Sequence, residues 1–250
     1  MSKFINLALI LFVFLLSSCD SNKEEHYLHF ATSAVYPPFE YSEHGEIKGF
    51  DIDLARLIAK ELGKEAVFDN MQFSTVLPAI SSGQDEIAIA TITITEARKN
   101  NFDFSEPYYF DGIAAVYRSN QPVAAQNQLQ GKKVAVQLGS VMEIWLRETF
   151  PQVEITVLDN NNQAIESLLS GRVDVVLMDG FQGKIFSNKY TELAYSLIAK
   201  ADNGYALAIK KDSPLTTKIN KALQKLKANG SIQKLETIWL KSSKRILQKL

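Results

Sequence analysis

Thr91-Ile92-Thr93-Ile94-Thr95-Glu96-Ala97-Arg98, with Phe104-Ser105-Glu106-Pro107-Tyr108-Tyr109 close behind, is the stretch on which the fold turns. The apolar run Ile87-Ala88-Ile89-Ala90 ahead of it reads as a buried strand, and Thr95-Glu96-Ala97-Arg98 reads as the opening of a helix. Thr91 to Ile94 therefore fall at a strand-to-helix turn, the place where open α/β sheets bind ligands. Arg98 offers a planar fork of donors suited to a carboxylate, and the hydroxyls and carbonyls of Thr91 and Thr93 suit an ammonium group. Together they fit a zwitterion. A capped surface helix with a solvated Arg98 is the plainer reading of the same residues.

The surrounding composition narrows the ligand class. The 250 residues are 46% hydrophobic and 22% charged, as is ordinary for a soluble globular protein with room for one large core or two smaller ones. With 27 basic and 28 acidic residues the net charge is −1, so no bulk field favours nucleic acid. The ligand is expected to be small and its recognition local.

At the amino end, Lys3 precedes an apolar run from Phe4 to Leu16, shorter than the ~20 residues that span a bilayer. It meets Leu16-Ser17-Ser18-Cys19, which resembles the lipobox of bacterial lipoproteins. Residues 1–18 are thus expected to be a signal peptide, with Cys19 lipidated and residues 19–26 a tether. Asp20 resembles the inner-membrane retention signal of Gram-negative lipoproteins, which places the working domain on the periplasmic face of that membrane. A plain signal peptide or anchor with an incidental cysteine is the alternative. As the only cysteine, Cys19 excludes an internal disulfide.

Along the chain, Leu28 to Thr32 reads as a strand and Tyr36-Pro37-Pro38-Phe39-Glu40 as a stiff loop presenting Tyr36. Gly49-Phe50-Asp51-Ile52-Asp53-Leu54 enters a helix that Gly63 ends, with Asp51 or Asp53 as its cap. Ala66 to Phe68 forms a second strand. A helix follows, capped by Ser74, with Pro78 near its first turn and Gly83 beyond its end. Ile113 to Tyr117 leaves this unit. A second β-α-β-α-β unit runs from Lys133-Val134-Ala135-Val136-Gln137 through a helix from Val141 to Thr149 and a strand from Glu154 to Leu158. A helix from Gln163 to Ser170 and a strand from Val173 to Met178, ending at Asp179, complete it, with parallel pairing. Gly204 to Ile209 returns to the first unit. A helix with Ile219, Ala222, Leu223 and Leu226 on one face then stops at Asn229-Gly230, before a last short helix through Trp239.

Gly49 to Leu54, with Ile58, Ala59 and Leu62, resembles the signature of the polar amino-acid-binding proteins of ABC importers. The likeness continues through Thr91 to Arg98, Phe104 to Tyr109, Leu129-Gln130-Gly131-Lys132-Lys133 and Gly139-Ser140, and it covers the chain from the tether to about Leu240. Ser33-Ala34-Val35-Tyr36-Pro37-Pro38-Phe39-Glu40 is most similar to the arginine-binding members. The resemblance implies a two-lobed α/β periplasmic-binding-protein fold with two crossover strands as a hinge. One lobe is expected at 27–113 with 204–240, the other at 114–203, and a basic tail at 241–250 that either touches anionic lipid or is a solvated helix end.

In that arrangement an amino acid's carboxylate is expected to meet Arg98 and backbone N–H groups at Ser140, and its ammonium Asp179 with Thr93 and a carbonyl. Asp179 also reads as a helix cap ahead of Gly180. The resemblance puts Tyr36 and Phe73 on either face of the ligand's side chain, whereas on its own residues Phe73 reads as core. Some lysine-, ornithine- and histidine-binding relatives have an aspartate where this chain has Ser33, which favours a guanidinium over a compact ammonium. Gln137 and Glu40 are further acceptors or solvent-facing groups, and Val141 and Met142 make one side more apolar.

The expected partners are an amino acid, most of all arginine, and an ABC permease with its ATPase, bound by a monomer held to the membrane through its lipid. Histidine, glutamine or lysine and ornithine are alternative ligands. A chemosensory component and a prephenate or arogenate dehydratase are rival functions on the same fold. No catalytic residue or cofactor is expected. Nor is a metal, because His26, His29 and His44 lie early without paired spacing.

Overall fold

The computed structural model describes residues 26–200 and 203–241. The signal segment, Cys19 and all of the basic tail but Lys241 lie outside the described residues. The first half runs β1 (Tyr27–Thr32), β2 (Val35–Tyr36), β3 (Glu40–Glu43), β4 (Glu46–Lys48), α1 (Phe50–Glu61) and β5 (Glu65–Asn70). It continues with α2 (Phe73–Ser82), β6 (Ile87–Ala88), the single-turn α3 (Glu96–Lys99) and β7 (Phe102–Phe104). Then follow β8 (Gly112–Arg118), β9 (Lys133–Gln137), α4 (Val141–Thr149), β10 (Glu154–Leu158), α5 (Asn161–Leu169), β11 (Val175–Asp179), α6 (Gly180–Lys189) and β12 (Leu193–Lys200). The chain closes with β13 (Ala208–Lys210), α7 (Leu215–Ala228), α8 (Ser231–Leu235) and a π-helical turn at Glu236–Lys241.

Two five-stranded sheets result, in the orders β5-β1-β6-β13-β7 and β10-β9-β11-β8-β12, with β2-β3-β4 as a small third sheet. β1 lies parallel to β5 and β6, and β9 parallel to β10 and β11, as the strand-helix-strand order requires. β8 and β13 run antiparallel to their neighbours, because each is the segment that has just passed from one sheet to the other. The chain thus crosses between 104 and 112 and returns between 200 and 208, giving two α/β lobes.

Alternation fixes both cores. In β9, Val134 and Val136 face one apolar cluster with Leu146 and Leu177, while Ala135 faces another with Ile165 and Leu168. In β1, Leu28 and Phe30 pack with Leu54, Ile58 and Leu223, while Ala31 faces Val76 and Ile80 of α2. The apolar stripe Ile219, Ala222, Leu223 and Leu226 of α7 is buried as its spacing predicts.

Several local expectations are corrected. Neither Asp51 nor Asp53 caps α1, whose N-cap is Gly49 without a side-chain bond; the two acids lie two and four positions inside and are used for tertiary contacts. Ser74 is not the cap of α2, which starts at Phe73 after Gln72, and Pro78 sits within the helix rather than in its first turn. The segment from Gly204 is ladder-paired only over Ala208–Lys210, with Tyr205 bridging singly to Thr93 and Tyr109. At Gly204 a Cβ would lie 2.4 Å from the Tyr109 carbonyl oxygen, so the two crossing segments touch where no side chain fits.

Candidate ligand-binding site

The turn after β6 is held from below. Thr91 has φ of 48°, and its N–H donates to Asp51 Oδ2 at 2.9 Å, an oxygen that also receives the Tyr108 hydroxyl at 2.7 Å. The Thr91 hydroxyl donates to the Ala90 carbonyl at 2.8 Å. Asp51 is therefore a structural residue, but its task is to fix the site turn rather than to cap α1. Burial pushes Asp51 up to about 6, against the pull of the Thr91 N–H and Tyr108. Glu40, 1% exposed, is raised well above the usual range by burial and then by Asp51. Burial and the neighbouring Asp51 charge favour the protonated form of Glu40, which is buried beside Asp51 rather than lining the cavity described below. Gln137 donates through Nε2 to the Asp159 carbonyl at 3.2 Å, a bond that leaves its Oε1 as an acceptor.

Beyond the turn, Thr95 caps α3 by accepting the Arg98 N–H at 3.2 Å. The Arg98 guanidinium reaches back to the Thr93 carbonyl at 2.7 Å and across to the Gly139 carbonyl of the second lobe at 3.1 Å. The residue is 7% exposed, not solvated, and makes no ion pair with an acid among the described residues. Burial lowers it to about 10, with the charge of Asp179 opposing. Its remaining N–H groups form a buried cationic fork without an anion.

Asp179 supplies the opposite charge. It ends β11 and precedes α6, yet it makes no side-chain cap bond, so the helix-cap reading fails. The Tyr36 hydroxyl donates to its Oδ2 across the lobes. Tyr36 is thus buried, with its ring centroid 6.4 Å from that of Phe39, rather than standing free on the loop. Burial, and next the charge of Asp111, raises Asp179 to about 7. No ion pair among the described residues neutralises it.

Ser140 caps α4 as its position predicts, accepting the Glu143 N–H at 3.2 Å. Its own N–H is not free for an anion, because it donates to the Gln137 carbonyl at 3.1 Å. The Gly139 N–H is taken by Glu143 Oε2 at 2.8 Å. The first bond into α4 is from Ile144 to the Ser140 carbonyl at 3.4 Å. The anion-facing amides of this helix start are accordingly those of Val141 and Met142.

A cavity of about 410 Å³ opens between the segment from Thr93 and α4, lined by Thr93, Ile94, Val141, Met142, Trp145 and Asp179 among others. Of the eight candidate ligand residues, Thr93 and Asp179 line it. Arg98 and Tyr36 are tied to those two by hydrogen bonds. Thr91 is tied inward, and Ser33 is buried ahead of Ala34, whose N–H donates to Asn70 Oδ1 at 2.8 Å. Phe73 is partly buried against Val76 and Ile80, and no ring contact joins it to Tyr36 among the described residues. Asp111 escaped the sequence reading. It accepts the Phe181 N–H at 2.9 Å and that of Gly112 at 2.7 Å, joining the crossing segment to α6. A lone acid between apolar neighbours carries no signal of that task. Phe181, 5.6 Å from Phe39 between ring centroids, was unmarked as well, since a single aromatic on a helix reads as core.

The profile of the bacterial extracellular solute-binding proteins, family 3, matches residues 28–242. The arginine-binding extracellular protein ArtP of Bacillus subtilis (strain 168) is 34% identical, over 91% of each chain. The structure of an ancestral arginine-binding protein bound to arginine superposes with a TM-score of 0.81 at 37% identity, over 86% of this chain and 98% of that one. The ancestral arginine-binding protein bound to glutamine matches equally, with a TM-score of 0.81 at 37% identity, over 86% of this chain and 97% of that one.

Proposed function

The chain belongs to the bacterial extracellular solute-binding proteins, family 3, and we propose that it is the receptor of an ABC importer, closing two lobes on an L-amino acid, with L-arginine the preferred ligand. The observation that carries this reading is the pair of opposite groups without an ion-pair partner among the described residues, the buried Arg98 from the first lobe and the half-buried Asp179 from the second. A free α-amino acid supplies both missing partners in one molecule: its carboxylate for Arg98 and the Val141 and Met142 amides, its ammonium for Asp179 and Thr93. Ser140 serves by capping α4, and Thr91 by holding the turn.

Tyr36, Phe73 and Ser33 choose the side chain. Aromatic faces without a point charge suit a delocalised guanidinium, and the likeness to arginine-binding proteins supports that ligand. Glutamine is the second reading, supported by the glutamine-bound relative and by the apolar Val141 and Met142 lining the cavity. The family and these relatives are binding proteins, not enzymes.

The lobes are assigned to 27–111 with 204–240 and to 112–203, because Gly112 and Ile113 already pair in the second sheet, and they move about the two crossing segments. A ligand that touches both lobes favours the closed form by its differential affinity. The family acts outside the cytoplasm, and no helix of the described residues is long and apolar enough to cross a membrane. Cys19, after a cleaved signal peptide, anchors the receptor by lipid, where it delivers its ligand to a permease and ATPase. Calorimetric titration with arginine, glutamine, histidine, lysine and ornithine tests the assignment. Tightest binding of arginine supports it, and no heat with any of them overturns it.

A further inference from the structure

Two helix-to-strand turns of this chain share a Ser-Gly start and an acid three residues after the glycine, and differ pointedly at the residue before that acid. Ser82-Gly83-Gln84-Asp85-Glu86-Ile87 leads from α2 into β6, and Ser170-Gly171-Arg172-Val173-Asp174-Val175 leads from α5 into β11. Gly83 and Gly171 both take left-handed conformations, with φ of 79° and 76°. Three residues on, an acid accepts the N–H of the neighbouring strand: Asp174 Oδ2 from Lys133 at 2.9 Å, and Glu86 Oε2 from His29 at 3.1 Å. The residue before that acid is Val173 in one turn, 1% exposed in an apolar cluster, and Asp85 in the other, 2% exposed.

Glu86 already does the backbone-binding work, so the turn has no use for the carboxylate of Asp85. Both its oxygens are buried and neither accepts a hydrogen bond from an N–H or hydroxyl among the described residues; the group they face is the Asp69 carboxyl. A buried carboxylate left so is costly where a valine fits. Its carboxylate is aimed at two other ligating groups. His29 and Asp69 stand on the face of the first sheet that carries Ala31 against α2, since His29 pairs with Val67 and Ala31 with Asp69. His29 Nδ1 lies 3.2 Å from Asp69 Oδ2, and one ligand atom from each of His29, Asp69 and Asp85 falls within 4.8 Å of the others. Asp69 also lines a cavity of about 440 Å³ with Thr75, Ser82 and Gln84, which gives a cation and its water a way in. None of the three lines the cavity beside Arg98 and Asp179.

We propose that His29, Asp69 and Asp85 form a divalent-cation site, selective for zinc(II). One imidazole with two carboxylates suits zinc, and the cavity supplies the solvent that completes a four-coordinate shell. The bound ion ties β1, β5 and the exit of α2 together. The first sheet's lobe is thereby braced by a metal at the point where the second is braced by apolar packing.

The test is zinc titration of the full chain after removal of metals by chelator, followed by calorimetry and by thermal unfolding. The expected result is one zinc per chain and a rise of several degrees in the unfolding midpoint at saturation. Asp85→Val copies the second turn and should fold, and it should weaken zinc binding at least about thirtyfold, as should His29→Ala, while arginine affinity stays within about twofold. His44→Ala, a control for stray histidine binding, should bind zinc as the unaltered chain does. No zinc uptake by the unaltered chain, or equal uptake by Asp85→Val, overturns the proposal, as does loss of the bound zinc in His44→Ala alone.

Discussion

Arg98 and Asp179 follow comparable strands in two similar lobes, yet one lobe brings a cation to the cleft and the other an anion. In the first lobe the chain runs on from β6 through the tied turn at Thr91 into the single-turn α3, so a long side chain folds back and lies across the gap. In the second, β11 stops at Asp179 and α6 begins at once, so a short carboxylate stays at the strand end. The scaffolds are alike, and what they deliver is set by the few residues past each strand. Neither charge finds an ion-pair partner within the described residues, so in the proposed reading each lobe is half of a site.

Removing either half should break the comparison most. Arg98→Ala should weaken arginine binding by about 4 kcal/mol, roughly a thousandfold, since it strips a carboxylate of its buried partner. Because Arg98 is buried and joins both lobes, the variant should also unfold at lower temperature, and circular dichroism at the titration temperature must show it still folded. A folded variant with unchanged affinity would separate Arg98 from the ligand. Asp179→Asn should cost about 3 kcal/mol of binding by calorimetry, because an amide does not neutralise the ammonium.

Acidification probes the same half by another route. In the unliganded protein Asp179 sits at about 7 instead of 3.8, so the fold prefers it protonated and this group favours folding less as pH rises from about 4 to about 7. The ligand's ammonium prefers the ionised form, so binding below pH 7 must expel that proton. Affinity should fall about tenfold from pH 8 to pH 6, with proton release seen in buffers of different ionisation heat. Asp179→Asn should flatten the profile.

Smaller effects sharpen the picture. Tyr36→Phe removes one hydrogen bond to Asp179 but leaves the ring packed, and should reduce affinity by about 1 kcal/mol. Glu40→Gln keeps a neutral donor beside Asp51 and should change neither the unfolding free energy nor the affinity by more than about 0.5 kcal/mol. A large loss in Glu40→Gln would mean that Glu40 is ionised and works in the site.

The second lobe was the more legible in sequence. β9, β10 and α4 fall on the residues expected, because short apolar runs and the Ser140 cap are local signals that packing reinforces. Arg98 and Asp179 stood out in the sequence too, as polar residues stranded after buried strands, and the structure leaves both without an ion pair among the described residues. What the sequence hid depends on distant partners. Asp51 looks like a helix cap, but its partner is the Thr91 N–H forty residues away, and Glu40 looks like an acceptor until its neighbour is seen to be Asp51. The Ser140 amide looked free for a different, local reason: residue types alone do not show that the turn after β9 folds it back on the Gln137 carbonyl three residues earlier. Asp85 and its two ligating neighbours come from three separate segments, so no spacing rule reaches them.

The most direct measurement compares L-arginine with agmatine, which lacks the carboxylate, and with 5-guanidinovalerate, which lacks the ammonium, by calorimetry on one preparation. If Arg98 and Asp179 each await one end of a zwitterion, both analogues should bind at least about a hundredfold more weakly than arginine, with agmatine indifferent to Arg98→Ala and guanidinovalerate to Asp179→Asn. Agmatine or guanidinovalerate binding as tightly as arginine would contradict the account, since the matching charge would then have no ligand group to meet.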